Sequence, residues 1–410
     1  MTLDSRIAVE ALRAGVPNPA AIRLMGNEHS AIEESFDAAL HGAWASGTRG
    51  GIGIAGGFGT GKSHLLGYLA EVARTQNFVV SRVAVSKETP LANHAHVFAA
   101  AIRDATLPDR NDDALAAALA ALRARPAELE RLEEAVSTPG VGFAPLFAAA
   151  LFLLRRTSTS AEVVRALERF LGGTRLPTSV VRRALKEAGA GRTFTLGAVD
   201  AQDLTLQRIA FTPLLFRAAG YAGWCILLDE VELIGRYTPL QRAMSYAWLA
   251  TWLGLEGARP FPGIITLYTV TDDFVTAVIN ARLDSERLPE RLLLKDRQQE
   301  ARLARAGIAH IERTVLLHRL TPPTDADLAR CHDRLRGLYT DAYGWPAPPL
   351  PAPERTSSRT MRHYIKAWIT QWDMARLYGA ATSVVEETLA SNYQEDESLG
   401  EAAAPGDEDG

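Results

Sequence analysis

A parallel α/β sheet carrying a phosphate-binding loop is the fold class that three stretches of this chain predict. The first is Gly56 to Ser63, GGFGTGKS, an unbroken G-x-x-x-x-G-K-S set between a short apolar strand (Ile52, Ile54) and an amphipathic run (Leu65, Leu66, Tyr68, Leu69). The second is Trp224 to Glu230, nearly continuous in apolar residues, as a central parallel strand buried on both faces should be, and closing in Asp229 and Glu230. The third is Ile264 to Thr271, β-branched and aromatic enough for a core strand, closing in Thr271-Asp272-Asp273.

The loop carries the most chemistry. Its glycines (Gly56, Gly57, Gly59, Gly61) let backbone N–H groups converge on dense negative charge where side chains would block approach. The helix that follows points its positive end at the same spot. We therefore expect ATP along Gly56, Gly57, Phe58, Gly59, Thr60, Gly61, Lys62, Ser63 and His64, with Lys62 at the β- and γ-phosphates and the Ser63 hydroxyl on Mg²⁺. The second strand supplies the complementary acid: Asp229 would hold the metal directly or through water. Glu230 beside it would polarise an attacking water, a task that hydrolysis requires. At the end of the third strand Thr271, with Thr269 in reserve, is the candidate sensor of the γ-phosphate. The same residues read equally well as a strand end, with Thr271 or Asp272 capping a helix that begins near Phe274.

Organisation follows the sheet. Residues 1–45 form a helical lead-in broken at Gly15-Val16-Pro17-Asn18-Pro19. The nucleotide core is expected over 46–318, with a second strand at Phe78 to Val85 and a last one near Thr314 to Leu317. Between about 91 and 219 the chain turns largely helical, with Ala/Leu-rich stretches, so Lys62 and Asp229 are separated by an insertion packed to one side of the sheet. One charged helix is expected from Ala277 to Ala306. A helical lid over 319–390 includes a helix from about Ser358 to Tyr378, after a proline-rich link at Trp345 to Pro353. Arg359, with Arg362 one turn on, stands where a lid would offer a permanent, fork-shaped charge to phosphate. A second arginine offered by a neighbouring subunit would be Arg282, Arg287 or Arg291.

Composition fits a protein with a large core: 410 residues, 47% hydrophobic and 22% charged. Met1 to Arg13 lacks an apolar signal region, and the longest apolar run, Phe143 to Leu154, is far shorter than the ~20 residues of a bilayer crossing. Two cysteines, Cys225 and Cys331, make neither a disulfide framework nor a metal site, and a cytoplasmic location is expected. The net charge of −4 comes from 44 bases against 48 acids, and residues 391–410, expected to be a disordered tail, hold seven acids and no base. Without those seven the body has 44 bases against 41 acids, so a nucleic-acid partner is compatible with its charge. Arg155-Arg156, Arg182-Arg183 and Lys186 are basic residues that would meet phosphates, or equally the solvated faces of helices.

Five segments together resemble the BrxD-like ATP-binding proteins of bacterial BREX phage-defence systems: EALRAGVPNPAAIRLMG at the start, GGFGTGKSH, VSKETPL after the second strand, LLDEVELIGRY at the acid strand and RHYIKAWITQWDMARL in the lid. The likeness covers most of the chain except the insertion and the tail. It implies an AAA-type P-loop ATPase related to initiator and loader ATPases, using ATP and Mg²⁺ and working on DNA with other BREX defence proteins. Two functional classes stay open. One is an ATPase (Lys62, Glu230, Thr271 and Arg359 as its catalytic residues) that drives assembly or remodelling of a protein–DNA complex, with an ATP-dependent homo-oligomer as its working form. The other is a nucleotide-gated switch or scaffold with little turnover, whose working surface is the helical insertion. A P-loop kinase for a small molecule fits less well with the sensor-like third strand and the long insert.

Overall fold

A computed structural model of the chain describes residues 3–379 apart from 17, 27–28, 45–50, 111, 139, 321–322 and 352–358. The acidic tail, Thr356-Ser357-Ser358 and the expected boundary at residues 45 and 46 lie outside the described residues. Three helices lead in: α1 (Leu3–Ala14), α2 (Pro19–Met25) and α3 (Ser30–His41). Asn18 caps the second, its side-chain oxygen accepting from the N–H groups of Ala20 and Ala21 at 2.9 and 3.4 Å. Then come β1 (Ile52–Ala55), the glycine loop, α4 (Lys62–Thr75) and β2 (Phe78–Ala84). Helices α5 (His94–Arg103), α6 (Ala114–Arg123), α7 (Pro126–Ser137), α8 (Pro145–Arg155), α9 (Ala161–Leu171), α10 (Thr178–Glu187) and α11 (Ala201–Ala219) precede β3 (Gly223–Asp229). A 3-10 turn, Val231–Arg236, leads into α12 (Pro239–Trp252) and β4 (Ile264–Val270). Beyond a π-helical turn, Val275–Asn280, lie α13 (Asp284–Leu293), α14 (Gln298–Leu317), α15 (Asp325–Tyr343) and α16 (Met361–Tyr378).

The four strands form one parallel sheet in the order β1-β4-β3-β2. In a parallel sheet all strands end at the same edge, so the glycine loop, Asp229, Thr271 and the end of β2 are brought to one place by topology alone. Side chains alternate across β3: Trp224, Ile226 and Leu228 join the core built with the α5–α11 helices, α12 and α14, while Cys225 and Leu227 join α3 and α4 on the other face. A third core unites the two ends of the chain, with Ala8 and Val9 of α1 and Ala20 and Ala21 of α2 packed among Leu335, Tyr339, Trp368 and Trp372 of α15 and α16. Arg13 fixes that union, donating from Nε to Asp373 at 3.1 Å.

Two sequence expectations are corrected here. The strand near Thr314 to Leu317 is the end of α14, because an amphipathic twenty-residue helix outweighs the local β-branched run, and the buried Thr314 turns its hydroxyl to Tyr268 at 2.8 Å. Extended pairing starts just after it: Arg319 bridges Ala55 in parallel on the free edge of β1, with the Leu320 N–H donating to the Ala55 carbonyl at 2.7 Å. The single charged helix from Ala277 to Ala306 is instead three pieces, broken where Leu283 and Asp296 adopt positive φ of 56° and 58°. A buried ion pair holds the middle piece: Arg242 of α12 donates to Asp284 at 3.0 and 2.9 Å, and the Tyr246 hydroxyl donates to the same carboxylate at 3.0 Å. Among the described residues no helix is long and apolar enough to cross a membrane.

The packing of α14 on α12 depends on Gly307, where an added Cβ would collide with the backbone carbonyl of Tyr246. Gly307→Ala should push the two helices apart and lower stability by about 1–3 kcal/mol, read as a reduced urea midpoint at an unchanged slope.

Candidate functional site

At the carboxyl edge of the sheet the glycine loop turns between β1 and α4, with Gly59 and Gly61 at φ 73° and 102°, conformations that side-chain-bearing residues rarely adopt. Lys62, only 9% exposed, opens α4 and folds back over the loop, donating from Nζ to the carbonyls of Gly56 and Gly57 at 2.7 and 3.1 Å. Phe58 lies under that ammonium, its ring centroid 5.6 Å away. Burial lowers the Lys62 ammonium below its ordinary pKa, against the opposing pull of Glu232, Asp229, Asp272 and Asp273. Thr60 closes the loop on itself, its hydroxyl donating to the Gly57 carbonyl at 2.9 Å.

Asp229 ends β3 as a 6% exposed carboxylate with donors on several sides. Thr269 of β4 donates to Oδ1 at 2.6 Å, Arg82 of β2 donates to Oδ2 at 2.7 Å, the Glu230 N–H lies 3.1 Å from Oδ1, and the Ser63 side chain is near enough to act on this carboxylate. Burial alone would raise the carboxyl pKa; the bonds from Thr269 and Arg82, the charge of Arg82 and the nearby Ser63 side chain outweigh it and hold the group below the usual carboxylate range. Ser63 and Asp229, far apart in sequence, are thus neighbours. Two hard oxygens brought near each other beside the glycine loop are a donor set suited to a magnesium ion.

The chain turns sharply after Asp229. Glu230 sits in left-handed backbone geometry at φ 60°, exposed, and its N–H also faces the Thr269 hydroxyl at 3.2 Å. Burial of its carboxyl and the adjacent Asp229 charge raise its pKa. Two residues on, in the 3-10 turn, Glu232 is 6% exposed, and burial pushes its carboxyl up to about 7 against the pull of Lys62. Thr271 is buried just past the end of β4, while Thr269 is the threonine that touches the acid. Asp272 is paired with Arg319 at 2.6 Å.

The start of α16 is in contact with the loop. A Cβ placed on Gly59 would lie 2.7 Å from the Thr360 hydroxyl and 3.5 Å from Cβ of Arg362, so the start of α16 rests on the loop backbone. Arg359 is half-buried immediately before Thr360, and Arg362 also borders Gly15 of the lead-in. His64 joins the same assembly from the other side, with Nε2 2.9 Å from the Gly26 carbonyl at the end of α2. Of the three candidate arginines beyond β4, Arg282 donates to the Gly235 carbonyl at 2.9 Å, while Arg287 and Arg291 are exposed on α13. The basic residues of the insertion are partly engaged within it: Arg155 pairs with Glu130 at 2.6 Å, Arg156 covers the Phe152 ring and Arg182 donates to the Leu196 carbonyl.

Arg82 and Glu232 were not among the residues singled out from sequence. Each had a visible signal: a lone cation within the apolar strand FVVSRVA, and a second glutamate in Asp229-Glu230-Val231-Glu232.

Residues 3–123, which include the loop, match a family model described as BREX system ATP-binding protein BrxC/D, and this part of the chain is similar to that family. That description indicates an ATP-binding protein of a BREX system. No curated protein and no solved structure matches the chain.

Removing the Thr269 hydroxyl in Thr269→Val leaves the buried Asp229 one donor short and should cost about 1.5–3 kcal/mol in urea denaturation at neutral pH. The Asp229 carboxyl is held low in the folded protein, so its contribution is present above the unfolded carboxylate value and is lost as pH falls. In the variant that loss should begin at higher pH, visible as a smaller stability difference from wild type at about pH 3 than at pH 7.

Proposed function

We propose that the protein is an AAA-type ATPase that hydrolyses ATP to drive assembly or remodelling of a protein–DNA complex in BREX antiphage defence. The observation that carries this reading is the gathering of Lys62, Ser63, Asp229 and Glu230 at the carboxyl edge of the sheet, with the Ser63 side chain near enough to act on the Asp229 carboxylate. The position of β4 between the loop strand and the acid strand, together with a helical lid resting on the loop, supports the AAA-type assignment.

In the proposed mechanism the triphosphate takes the convergent N–H groups of the loop, and Lys62 exchanges the Gly56 and Gly57 carbonyls for phosphate oxygens. Ser63 and Asp229 are the residues that would hold Mg²⁺, which when bound supplies positive charge against that developing on the phosphates. Glu230, exposed and with no side-chain hydrogen bond or ion pair among the described residues, orients water for attack and accepts its proton. Thr269 keeps Asp229 ionised and aligned, with Thr271 as the residue beside the terminal phosphate. Arg359 and Arg362 bring the charge of the lid to the nucleotide, and Arg287 or Arg291, exposed on α13, would do so from a second subunit. Other BREX proteins and DNA are the proposed partners.

The contact of Thr360 and Arg362 with Gly59 also favours a second reading, in which ATP works chiefly by repositioning the lid and turnover is slow. Steady-state phosphate release with and without DNA separates the two. On the first reading Glu230→Gln reduces release about a hundredfold or more while ATP stays bound, and light scattering shows a rise in mass with ATP. Phosphate release at background level in the wild type, with ATP bound and no change in mass, would favour the switch.

A further inference from the structure

Residues 172–199 of the helical insertion hold five bases and one acid, Glu187, in a chain whose net charge is −4. Four of the five bases, Arg182, Arg183, Lys186 and Arg192, lie exposed on α10 and the loop after it. Contacts within the insertion bring this segment beside Arg156. Arg182 donates to the Leu196 carbonyl at 2.8 Å, which folds the loop back along α10, and a Cβ on Gly191 would lie 3.5 Å from the Lys186 Cα. Phe194 of the loop packs on Phe152 of α8 with ring centroids 5.4 Å apart, and the Arg156 guanidinium covers the same Phe152 ring at 4.3 Å. Arg183, Lys186 and Arg192 have no side-chain ion pair or hydrogen bond among the described residues. Acids on neighbouring elements are engaged elsewhere: Glu130 and Glu133 hold Arg155, Asp200 caps α11, and Glu168 of α9 answers to Arg123 and Arg165.

We propose that α10, the loop after it and Arg156 form a docking surface for the sugar-phosphate backbone of duplex DNA. The inference deepens the protein–DNA reading above and rests on it for the choice of DNA over RNA. Like charges held together repel, and a bound polyanion relieves that repulsion. Arg183 and Lys186, three residues apart, share one face of α10. The donors are those that meet phosphate elsewhere: guanidinium forks, an ammonium, and a loop with exposed Thr193 and Thr195 beside its glycines. Apolar chemistry is missing from this part of the molecule. Between residues 142 and 282 no large hydrophobic residue is exposed among the described residues. A single strand needs exposed aromatic rings on which its bases can stack, and a membrane-lying helix needs an apolar face to insert. A duplex needs neither, because its bases are stacked inward and it offers one phosphate charge per about 1.7 Å of axis.

Fluorescence anisotropy of a labelled duplex of about 30 base pairs tests this on the full-length protein, with salt varied from about 50 to 200 mM. Arg183→Gln/Lys186→Gln/Arg192→Gln removes three charges and leaves the bonds of Arg182 and the stacking of Arg156 in place. It should weaken binding about tenfold or more at the low-salt end and reduce the slope of log K against log salt by about 2–3. The loss should be the same on unrelated duplex sequences, because phosphates carry no sequence information. Arg183→Lys/Arg192→Lys keeps the charge and should keep the slope, and thermal midpoints establish that each variant is folded. As a control, Arg302→Gln/Arg305→Gln/Arg313→Gln removes as many exposed charges from α14 and should bind within about threefold of wild type. Equal losses in the two triple variants, or wild-type affinity and slope in the α10 variant, would overturn this surface and leave the protein–DNA reading standing on the duplex binding of the wild type. Tighter binding of a single strand or of duplex RNA would contradict the duplex-DNA assignment, as would loss of binding to phosphatidylserine vesicles in the α10 variant with duplex binding unchanged. A wild type that binds no duplex at about 50 mM salt would remove the surface and the DNA partner together, while phosphate release tests hydrolysis separately.

Discussion

The Asp229 carboxylate draws donors from both neighbouring strands, the Thr269 hydroxyl from β4 and the Arg82 guanidinium from β2, and has the Ser63 side chain beside it at the start of α4. Burial works against a charge in this position, and only this many donors keep it ionised. The same bonds constrain the architecture around it. They require β4 to lie directly beside β3 in the observed register, and β2 to end level with Asp229 on the other side, where Ala84 pairs with it. The helix after the loop is likewise drawn to the sheet edge through Ser63. Structure and chemistry thus share one set of interactions, and a change that frees Asp229 would loosen both.

Three acids within four residues occupy three different environments. Asp229 is enclosed and fully satisfied, Glu230 is turned outward by a left-handed backbone, and Glu232 is enclosed with an oxygen to spare. Groups of one chemical type whose surroundings push their proton affinities apart are how a site separates metal binding from acid–base work. The backbone at Glu230 is part of that separation, since an ordinary conformation there would not turn the chain so abruptly into the 3-10 turn that buries Glu232. Lys62 balances the group: its ammonium rests on the carbonyls of its own loop, a short movement from where phosphates would lie.

The loop, the acid strand and the third strand were legible in the sequence because each is a local pattern: glycines at fixed spacing, or a run of apolar residues ending in acid. Side-chain roles set by neighbouring strands were not. Thr269 and Thr271 are equivalent in sequence, and only the pairing of β4 with β3 selects Thr269 as the partner of Asp229. Arg82 gains its meaning from the placement of β2 beside β3, which no local signal encodes. Thr314 to Leu317 read as strand because branched and apolar residues suit either state, and the decision came from the long helix to which they belong. The union of α1 and α2 with α15 and α16 joins segments more than three hundred residues apart through a core of Trp368, Trp372 and Tyr339, and periodicity says nothing about partners at that distance.

The most direct measurement is the anomalous-scattering position of manganese, used in place of magnesium, in crystals grown with a slowly hydrolysed ATP analogue. The account predicts one peak within about 2–2.5 Å of the Ser63 hydroxyl and next to Asp229, directly or through one water, with Lys62 moved from the Gly56 and Gly57 carbonyls onto phosphate. A peak remote from both oxygens, or a triphosphate bound anywhere but the glycine loop, would contradict it.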